Sequence, residues 1–153
     1  MLKNRYNQYG GREGYWEEYD INGKIESRGH YINGKHDGYW EWYWRNGALY
    51  SRGNYKNGER EGVHEDFYPN GQLRQSLNFI NGLAEGNLQS YKENGQITSK
   101  GNYINNYAEG YWEYYWYDGY GLESKGYFIR GNRARYWEFY DTNAKLERIE
   151  YFI

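Results

Sequence analysis

Five glutamates recur along this sequence at a fixed place, and paired carboxylates serve as the acid and base of glycoside hydrolases. They are Glu17, Glu41, Glu65, Glu113 and Glu138, and Gln89 takes the same place between the third and the fourth. A residue that a repeat places is more often structural than catalytic. We therefore expect these glutamates to pair with a Lys or Arg on a neighbouring strand, and we expect that the protein is not an enzyme.

The three histidines are the other side chains that suggest chemistry, as ligands of a metal ion. His30 lies at a variable strand position, His36 is expected in a turn, and His64 replaces a Trp of the repeat. No His-Glu-x-x-His or comparable ligand spacing is present, and the chain has no Cys. We expect neither a metal nor a cofactor.

These side chains belong to a unit of 24 residues that recurs from Gly14 onward. The unit reads Gly, aromatic, Trp, Glu, any residue, Tyr; then Asn-Gly; then an aliphatic residue; then Ser-Lys/Arg-Gly, an aromatic and a second Asn-Gly. A fixed period of this length indicates a stacked repeat protein. We divide the chain into an N-terminal cap or partial repeat, 1–13, and six copies: 14–37, 38–61, 62–85, 86–109, 110–134 and 135–153. The fifth copy carries one extra residue near Tyr120.

Each copy predicts two antiparallel strands. Aromatic and alternating segments favour strands, and Asn-Gly is a strong signal for the tight turn of a hairpin. We therefore predict an all-β fold: a single-layer antiparallel meander of repeated β-hairpins, elongated and twisted. Glycines recur two residues before an aromatic, and we expect a cross-strand ring to lie over each of them: Gly29, Gly53, Gly101 and Gly126.

Composition excludes several classes of protein. The net charge is only −2 and aromatic residues make up 22% of the chain, which argues against disorder. The balanced charge argues against nucleic-acid binding, because stacking on single strands needs a basic groove. No apolar run reaches the length of a membrane span, and the N-terminus lacks the apolar core of a secretory signal. We expect a cytoplasmic protein.

Two units carry a family resemblance: GYWEWYWRNGALYSRGNYKNGEREG and GYWEEYDINGKIESRGHYINGKHDG. They resemble the MORN-repeat variant of many bacterial proteins. The resemblance runs from Gly14 to the end and is weaker in the third, fourth and sixth copies. It implies a hairpin ladder without catalysis. Bacterial members are often labelled as antitoxins of toxin–antitoxin pairs, and MORN proteins elsewhere are scaffolds for proteins or lipids.

The aromatic residues that depart from the repeat are the best candidates for binding. Trp42 and Tyr114 occupy a slot that is polar in several sister copies, and Trp44 and Trp116 occupy a second such slot. The scaffold does not demand rings there, and exposed aromatics mark contact surfaces. We expect one binding face for a protein partner, formed by the following rings: Trp40, Trp42, Trp44, Trp112, Tyr114 and Trp116.

The C-terminal segment is a second candidate surface. Ile149, Tyr151, Phe152 and Ile153 make it an apolar strand with no strand after it to pair with. An open edge of this kind can recruit a strand of another protein, or of a second copy to give a homodimer.

Function classes therefore stay open. We favour a non-enzymatic protein–protein interaction module, such as an antitoxin-like protein or an inhibitor from a phage or mobile element that neutralises an effector enzyme. The alternative is a ligand-binding repeat module that holds choline, a glycan or a lipid head group in aromatic cages.

Overall fold

The computed structural model describes residues 3–118 and 121–153, and every regular element in this part of the chain is a strand. The extra residue expected near Tyr120 falls on a position outside the described residues. The strands are β1 Arg5–Tyr6, β2 Arg12–Tyr19, β3 Ile25–Ile32, β4 Lys35–Tyr43, β5 Leu49–Lys56, β6 Glu59–Phe67, β7 Leu73–Ile80, β8 Leu83–Ala84, β9 Gly86–Tyr91, β10 Ile97–Ile104, β11 Tyr107–Tyr115, β12 Leu122–Ile129, β13 Asn132–Tyr140 and β14 Leu146–Phe152.

All fourteen strands form one open antiparallel sheet in which each strand pairs with the next. The exception is β8, which pairs with β7 and lies off the main path. The predicted all-β meander in a single layer is confirmed. With about 4.8 Å between neighbouring strands, the sheet runs for roughly 60 Å.

Residues that precede the first full copy cover the outer edge of β2. The short strand β1 pairs with its first residues, Arg12 and Glu13. Farther along, the Asn4 side chain acts as a piece of strand backbone: Nδ2 donates to the Glu17 carbonyl at 3.0 Å, and Oδ1 accepts from the Glu17 N–H at 2.9 Å. These contacts satisfy backbone groups that an open edge would leave to solvent.

Two kinds of Asn-Gly turn alternate along the ladder and differ in geometry. In the first kind only the glycine has a positive φ, as at Gly47 (85°), and the Asn46 side chain accepts a hydrogen bond from the N–H of Ala48. In the second kind both residues are left-handed, as at Asn57 (52°) and Gly58 (89°), which is the pattern of a type I′ hairpin. The predicted hairpin turns are confirmed.

The second turn also docks on the preceding copy. The Gly58 N–H donates to the carbonyl of His36 at 2.8 Å, and the Asn57 N–H donates to the carboxylate of Asp37 at 3.2 Å. An acidic residue plays the part of Asp37 in the N-terminal segment and in three other copies, where the acceptors are Glu13, Glu61, Glu85 and Glu109. Each carboxylate thus satisfies a backbone donor of the next hairpin and links the copies along one edge of the sheet.

A ring lies over each of the recurring glycines, as predicted. A Cβ placed on Gly29 would lie 2.2 Å from the Trp40 ring. The other close approaches are Gly53 to His64 at 2.3 Å, Gly101 to Trp112 at 2.0 Å and Gly126 to Trp137 at 2.4 Å. Where Leu77 takes the glycine position, Leu88 takes the Trp position and packs against it. These rings form the core of a sheet that has no second layer.

Candidate binding faces

The two faces of the sheet differ in chemistry, because successive side chains of a strand point to opposite sides. On what we call the glutamate face, one row of cross-strand neighbours contains Glu17, Arg28, Glu41, Arg52, Glu65, Ser76, Gln89, Lys100, Glu113, Lys125, Glu138 and Ile149. On the opposite side, the tryptophan face, the adjacent row contains Trp16, Gly29, Trp40, Gly53, His64, Leu77, Leu88, Gly101, Trp112, Gly126 and Trp137.

Ion pairs cross the glutamate face, and this confirms the predicted pairing. With nitrogen–oxygen distances of 2.5 to 3.0 Å, they include Arg28–Glu41, Arg52–Glu65, Lys100–Glu113 and Lys125–Glu138. Partial burial raises the pKa of Glu41, but hydrogen bonds from Tyr43 and Arg28 outweigh it and hold this pKa below its usual range. A general acid needs a raised pKa. The lowered pKa of Glu41 keeps this carboxylate ionised instead, which suits it to ion pairing.

Trp42 and Tyr114 lie on the tryptophan face, in the row next to the repeat Trp residues. This second row contains Glu18, Ser27, Trp42, Ser51, Asp66, Gln75, Ser90, Ser99, Tyr114, Ser124, Phe139 and Arg148. A serine stands on each side of both rings, and its small side chain leaves room for them. Both rings are half-buried.

Each of these two rings stacks on the buried Trp of its own strand. Trp42 lies 5.5 Å from Trp40 with an interplanar angle of 26°, and Tyr114 lies 5.9 Å from Trp112 at 19°. Trp40 and Trp112 are buried in the core. Of the predicted binding rings, these two are therefore supports, whereas Trp42 and Tyr114 present surface to solvent.

The rings gather into two groups. The amino-terminal cluster consists of Trp16, Tyr31, His36, Trp40, Trp42 and Tyr55. The carboxy-terminal cluster consists of Leu88, Trp112, Tyr114, Phe128, Trp137 and Phe139. His36 lies in β4 and not in a turn, because β4 begins at Lys35. Its ring sits 4.1 Å from Trp40, and burial among these rings lowers the pKa of His36.

A polar segment separates the two clusters. Asp66 accepts hydrogen bonds from Ser51 at 2.7 Å, Gln75 at 2.7 Å and Arg74 at 3.1 Å. Burial raises the pKa of Asp66, but these three bonds outweigh it and lower the pKa overall. Six strand spacings separate Trp42 on β4 from Tyr114 on β11, or about 29 Å.

Trp44 and Trp116 lie beyond the ends of β4 and β11, at the edge formed by the first kind of turn. The Trp44 indole N–H donates to the carbonyl of Phe67 in the next copy at 3.0 Å. The same slot makes equivalent bonds in the next two copies: Tyr68 Oη to the Tyr91 carbonyl and Lys92 Nζ to the Trp116 carbonyl, both at 2.8 Å. In the second, third and fourth copies this slot therefore links a copy to the next one. Its donor-bearing side chains were a signal that sequence reasoning missed, and a role in partner binding stays a prediction.

The predicted C-terminal edge divides between the two faces. Ile149 pairs with Glu138 on the glutamate face, and Tyr151, 80% exposed, lies on the same side. Phe152 is half-buried and packs against the carboxy-terminal cluster. Ile153 follows the end of β14 and is exposed.

Other kinds of site find little support in the described ranges. Between residues 3 and 118 and from 121 to the end, no three His, Asp or Glu side chains come together as metal ligands. That same part of the chain contains no helix long and apolar enough to cross a membrane.

Comparison with known families agrees with the hairpin geometry. The family described as MORN repeat variant matches residues 12–33, 37–57, 60–81 and 84–105, more than half of the chain. The chain belongs to this family. The first three matches begin within the first strand of a hairpin, and the fourth begins in β8, just before β9. All four end in a second turn, so one MORN repeat is one hairpin with its docking turn. No curated protein matches the chain.

The MORN geometry extends past the matched segments. Trp112 lies over Gly101 and Trp137 lies over Gly126, as Trp40 lies over Gly29. The residues from 106 onward therefore continue the same ladder. MORN repeats in general are non-catalytic modules that bind proteins or membranes.

Proposed function

We propose that this MORN protein is a non-enzymatic module whose tryptophan face binds a partner protein across both aromatic clusters. The observation that carries the proposal is the pair of half-buried rings, Trp42 and Tyr114, stacked on buried tryptophans about 29 Å apart on one face. A standard interface buries about 800 Å² per partner, a patch roughly 32 Å across if circular. One protein can reach both rings, whereas a small ligand reaches one.

The composition of this face supports the same proposal. Trp, Tyr and Arg dominate interface energetics, and cations flank both clusters. The Arg12 guanidinium lies 4.8 Å from the ring centre of Trp16, and that of Arg133 lies 4.5 Å from Trp137. Between the clusters, the ionised carboxylate of Asp66 offers a polar contact that fixes register. A partner with apolar anchors at both ends and a basic centre would be complementary.

The family resemblance suggests what such binding achieves. Bacterial MORN proteins of this type are often labelled antitoxins, and a broad aromatic face can cover the active site of an effector enzyme. We therefore propose an antitoxin-like or inhibitor role, in which the MORN sheet blocks its partner by occupying the surface that the effector uses.

The test uses two double variants with changes on the same strands. The first double variant, Trp42→Ser with Tyr114→Ser, changes the tryptophan face. It introduces the residue type that the fourth copy carries in the same slot, Ser90. Tyr39→Asn with Tyr111→Asn does the same on the glutamate face, where a sister copy has Asn87. The partner is captured from source cells, purified, and titrated calorimetrically against each protein, with folding checked by circular dichroism.

We expect the tryptophan-face variant to lose about 4 kcal/mol of binding energy, close to a thousandfold in affinity, if each ring acts as a hot spot of about 2 kcal/mol. The glutamate-face control should bind like wild type. The opposite pattern, with the control weakened and the tryptophan-face variant unaffected, would overturn the proposal.

One hollow favours the alternative of a small-ligand module. It has a volume of about 300 Å³, at the lower end for ligand sites, and is lined by Trp42, Tyr50, Ser51, Tyr55, Arg60 and Asp66. The aromatic lining suits a sugar or a quaternary ammonium group, but the Arg60 charge opposes a cation. Saturable binding of choline or a glucan oligosaccharide that Trp42→Ser abolishes and Tyr114→Ser leaves intact would support this alternative.

A further inference from the structure

The outer edges of the first and last long strands of the sheet, β2 and β14, differ in how they are paired. Residues 3–6 cover β2 through β1 and the Asn4 side chain, as described above. At the other end, β14 pairs with β13 on one side and with nothing else among the described residues. Alternate residues of the seven-residue strand β14 thus present unpaired backbone donors and acceptors along its outer edge, an arrangement that recruits strands.

A further MORN hairpin of the same design does not fit against β14. Glu150 pairs with Trp137 at the position where Gly29 and its equivalents stand. A following Trp ring would need that glycine, because even a Cβ there approaches the ring to about 2 Å in other copies. Ala134 also replaces the acidic residue that docks the next hairpin's turn in earlier copies. The edge is therefore not prepared for a hairpin that carries Trp at that position.

We propose that β14 pairs antiparallel with β14 of a second copy, around a two-fold axis at Ile149. The charges along the strand select this register. An axis at Arg148 or at Glu150 would place each of these charges opposite itself, and an axis at Glu147 would do the same, which is destabilising. An axis at Ile149 places Arg148 opposite Glu150 of the other copy, twice.

The central pairs of this register join residues of the same face, as a two-fold axis perpendicular to the sheet requires. Arg148 and Glu150 lie on the tryptophan face, and Ile149 faces its own equivalent on the glutamate face. Beyond them the register of β14 shifts, so Leu146 and Glu147 lie outside this regular pairing.

The dimer would form one continuous sheet with both tryptophan faces on the same side. Phe152 packs against the carboxy-terminal cluster, so the new contact continues the aromatic surface of each copy. The paired segments are short, and an interface of this size lies at the weak end of specific association. We therefore expect a monomer–dimer equilibrium and not a permanent dimer.

The test follows self-association of the full chain by sedimentation equilibrium from about 1 μM to 1 mM. Arg148→Glu and Glu150→Arg each turn both charge pairs into like-charge pairs, and each should weaken dimerisation about tenfold or more. Mixing these two variants should restore dimers. One chain then carries two acidic side chains at positions 148 and 150 and the other carries two basic ones, so opposite charges again meet across the axis. Within each chain the pair that joins Arg148 to Glu150 at 2.8 Å stays broken, so recovery in the mixture reports the contact between copies.

A second measurement fixes the register. The chain has no Cys, so Ile149→Cys gives a single thiol that should lie opposite its own equivalent. A short bis-maleimide should join Ile149→Cys chains into covalent dimers far faster than Ile153→Cys chains. A monomer at every concentration, dimers unaffected by the charge variants, or equal cross-linking of both thiols would overturn the proposal. None of these results bears on partner binding by Trp42 and Tyr114.

Discussion

A methyl group added at Gly126 tests the packing of the tryptophan face directly. A Cβ there would lie 2.4 Å from the ring of Trp137, which has 0% of its surface exposed and no space into which to retreat. Carbon atoms rest about 3.5–4.0 Å apart, so the ring must move by about 1 Å. We expect Gly126→Ala to lower the free energy of unfolding by about 3 kcal/mol, at the upper end of overpacking costs.

The third and fourth copies indicate how this loss can be reversed. There, Leu77 at the glycine position faces Leu88 at the Trp position. In a Trp137→Leu background, the added methyl at Gly126 no longer meets the Trp137 ring, and Ala is favoured over Gly within a strand by roughly 0.5–1 kcal/mol. Gly126→Ala should then be neutral or stabilising, which gives a coupling of about 3 kcal/mol between the two positions.

The assay is urea unfolding of the four proteins of this double-mutant cycle, followed by circular dichroism and by tryptophan fluorescence. Both probes are needed because repeat proteins can depart from two-state unfolding. For a chain of this length, the single variant should also melt about 6–12 °C lower than wild type. Additive effects, with a coupling below about 0.5 kcal/mol, would refute the placement of the Trp137 ring over Gly126.

Three further predictions concern ionisable groups. Burial lowers the pKa of His64 in the folded protein. As pH falls, the imidazole therefore becomes protonated in the unfolded chain first, and stability decreases below about pH 6.5. His64→Trp should make the thermal melting temperature less dependent on pH between 7.5 and 5. Burial raises the pKa of Glu113, but hydrogen bonds from Lys100 and Tyr115 outweigh it and hold this pKa below the usual 4.5. The stabilisation from Glu113 is present above pH 4.5 and lost as pH falls through the lowered pKa, so Glu113→Gln should remove part of the acid-induced loss of urea midpoint. Glu61→Ala deprives the Asn81 N–H of its acceptor at 3.0 Å and should cost about 1 kcal/mol in urea unfolding, whereas Glu61→Gln, which keeps an oxygen acceptor, should cost less.

The architecture could be predicted from sequence because the signals repeat. The spacing of Asn-Gly turns defined the hairpins, and the glycine before each aromatic indicated the ring that lies over it. The ion pairs of the glutamate face followed from Glu and Lys or Arg at fixed offsets. Each of these features depends on neighbouring strands of one meander, whose pairing follows directly from turn position.

Contacts between copies were harder to predict. The Asn57 N–H reaches Asp37, 20 residues earlier, and the Trp44 indole reaches Phe67, 23 residues later. Both spacings recur, so the signal was present, but a side chain's direction at the end of a strand depends on bulges. Trp42 and Trp44 differ for the same reason: the register shifts between Trp42 and Tyr43, so Trp42 stacks on Trp40 whereas Trp44 bonds to the next copy.

In the degenerate third and fourth copies, all three rows of cross-strand neighbours change their residue types at the same strands. Between β6 and β9, His64 and Leu88 replace Trp, Ser76 and Gln89 replace a charged pair, and polar side chains replace rings in the Trp42 row. The register of β7 with β9 contains two residue pairs, fewer than in the regular hairpins. Exposed ion pairs contribute only about 0–1 kcal/mol each, so their loss here is modest.

Hydrogen bonds at both edges of the sheet strengthen the pairing of β7 with β9, which we call the joint. Tyr68 Oη donates to the Tyr91 carbonyl at 2.8 Å at one edge, and at the other the Asn106 N–H donates to the Ala84 carbonyl at 3.0 Å. The joint lies midway between the two aromatic clusters, under the segment that carries Asp66. A partner that contacts both clusters must also cover this joint. Binding would therefore stabilise the part of the sheet in which the rows of side chains contribute least to stability. In the proposed binding mode, the two clusters would be the packed anchors of the face, and the polar centre would be the part with fewer packed rings.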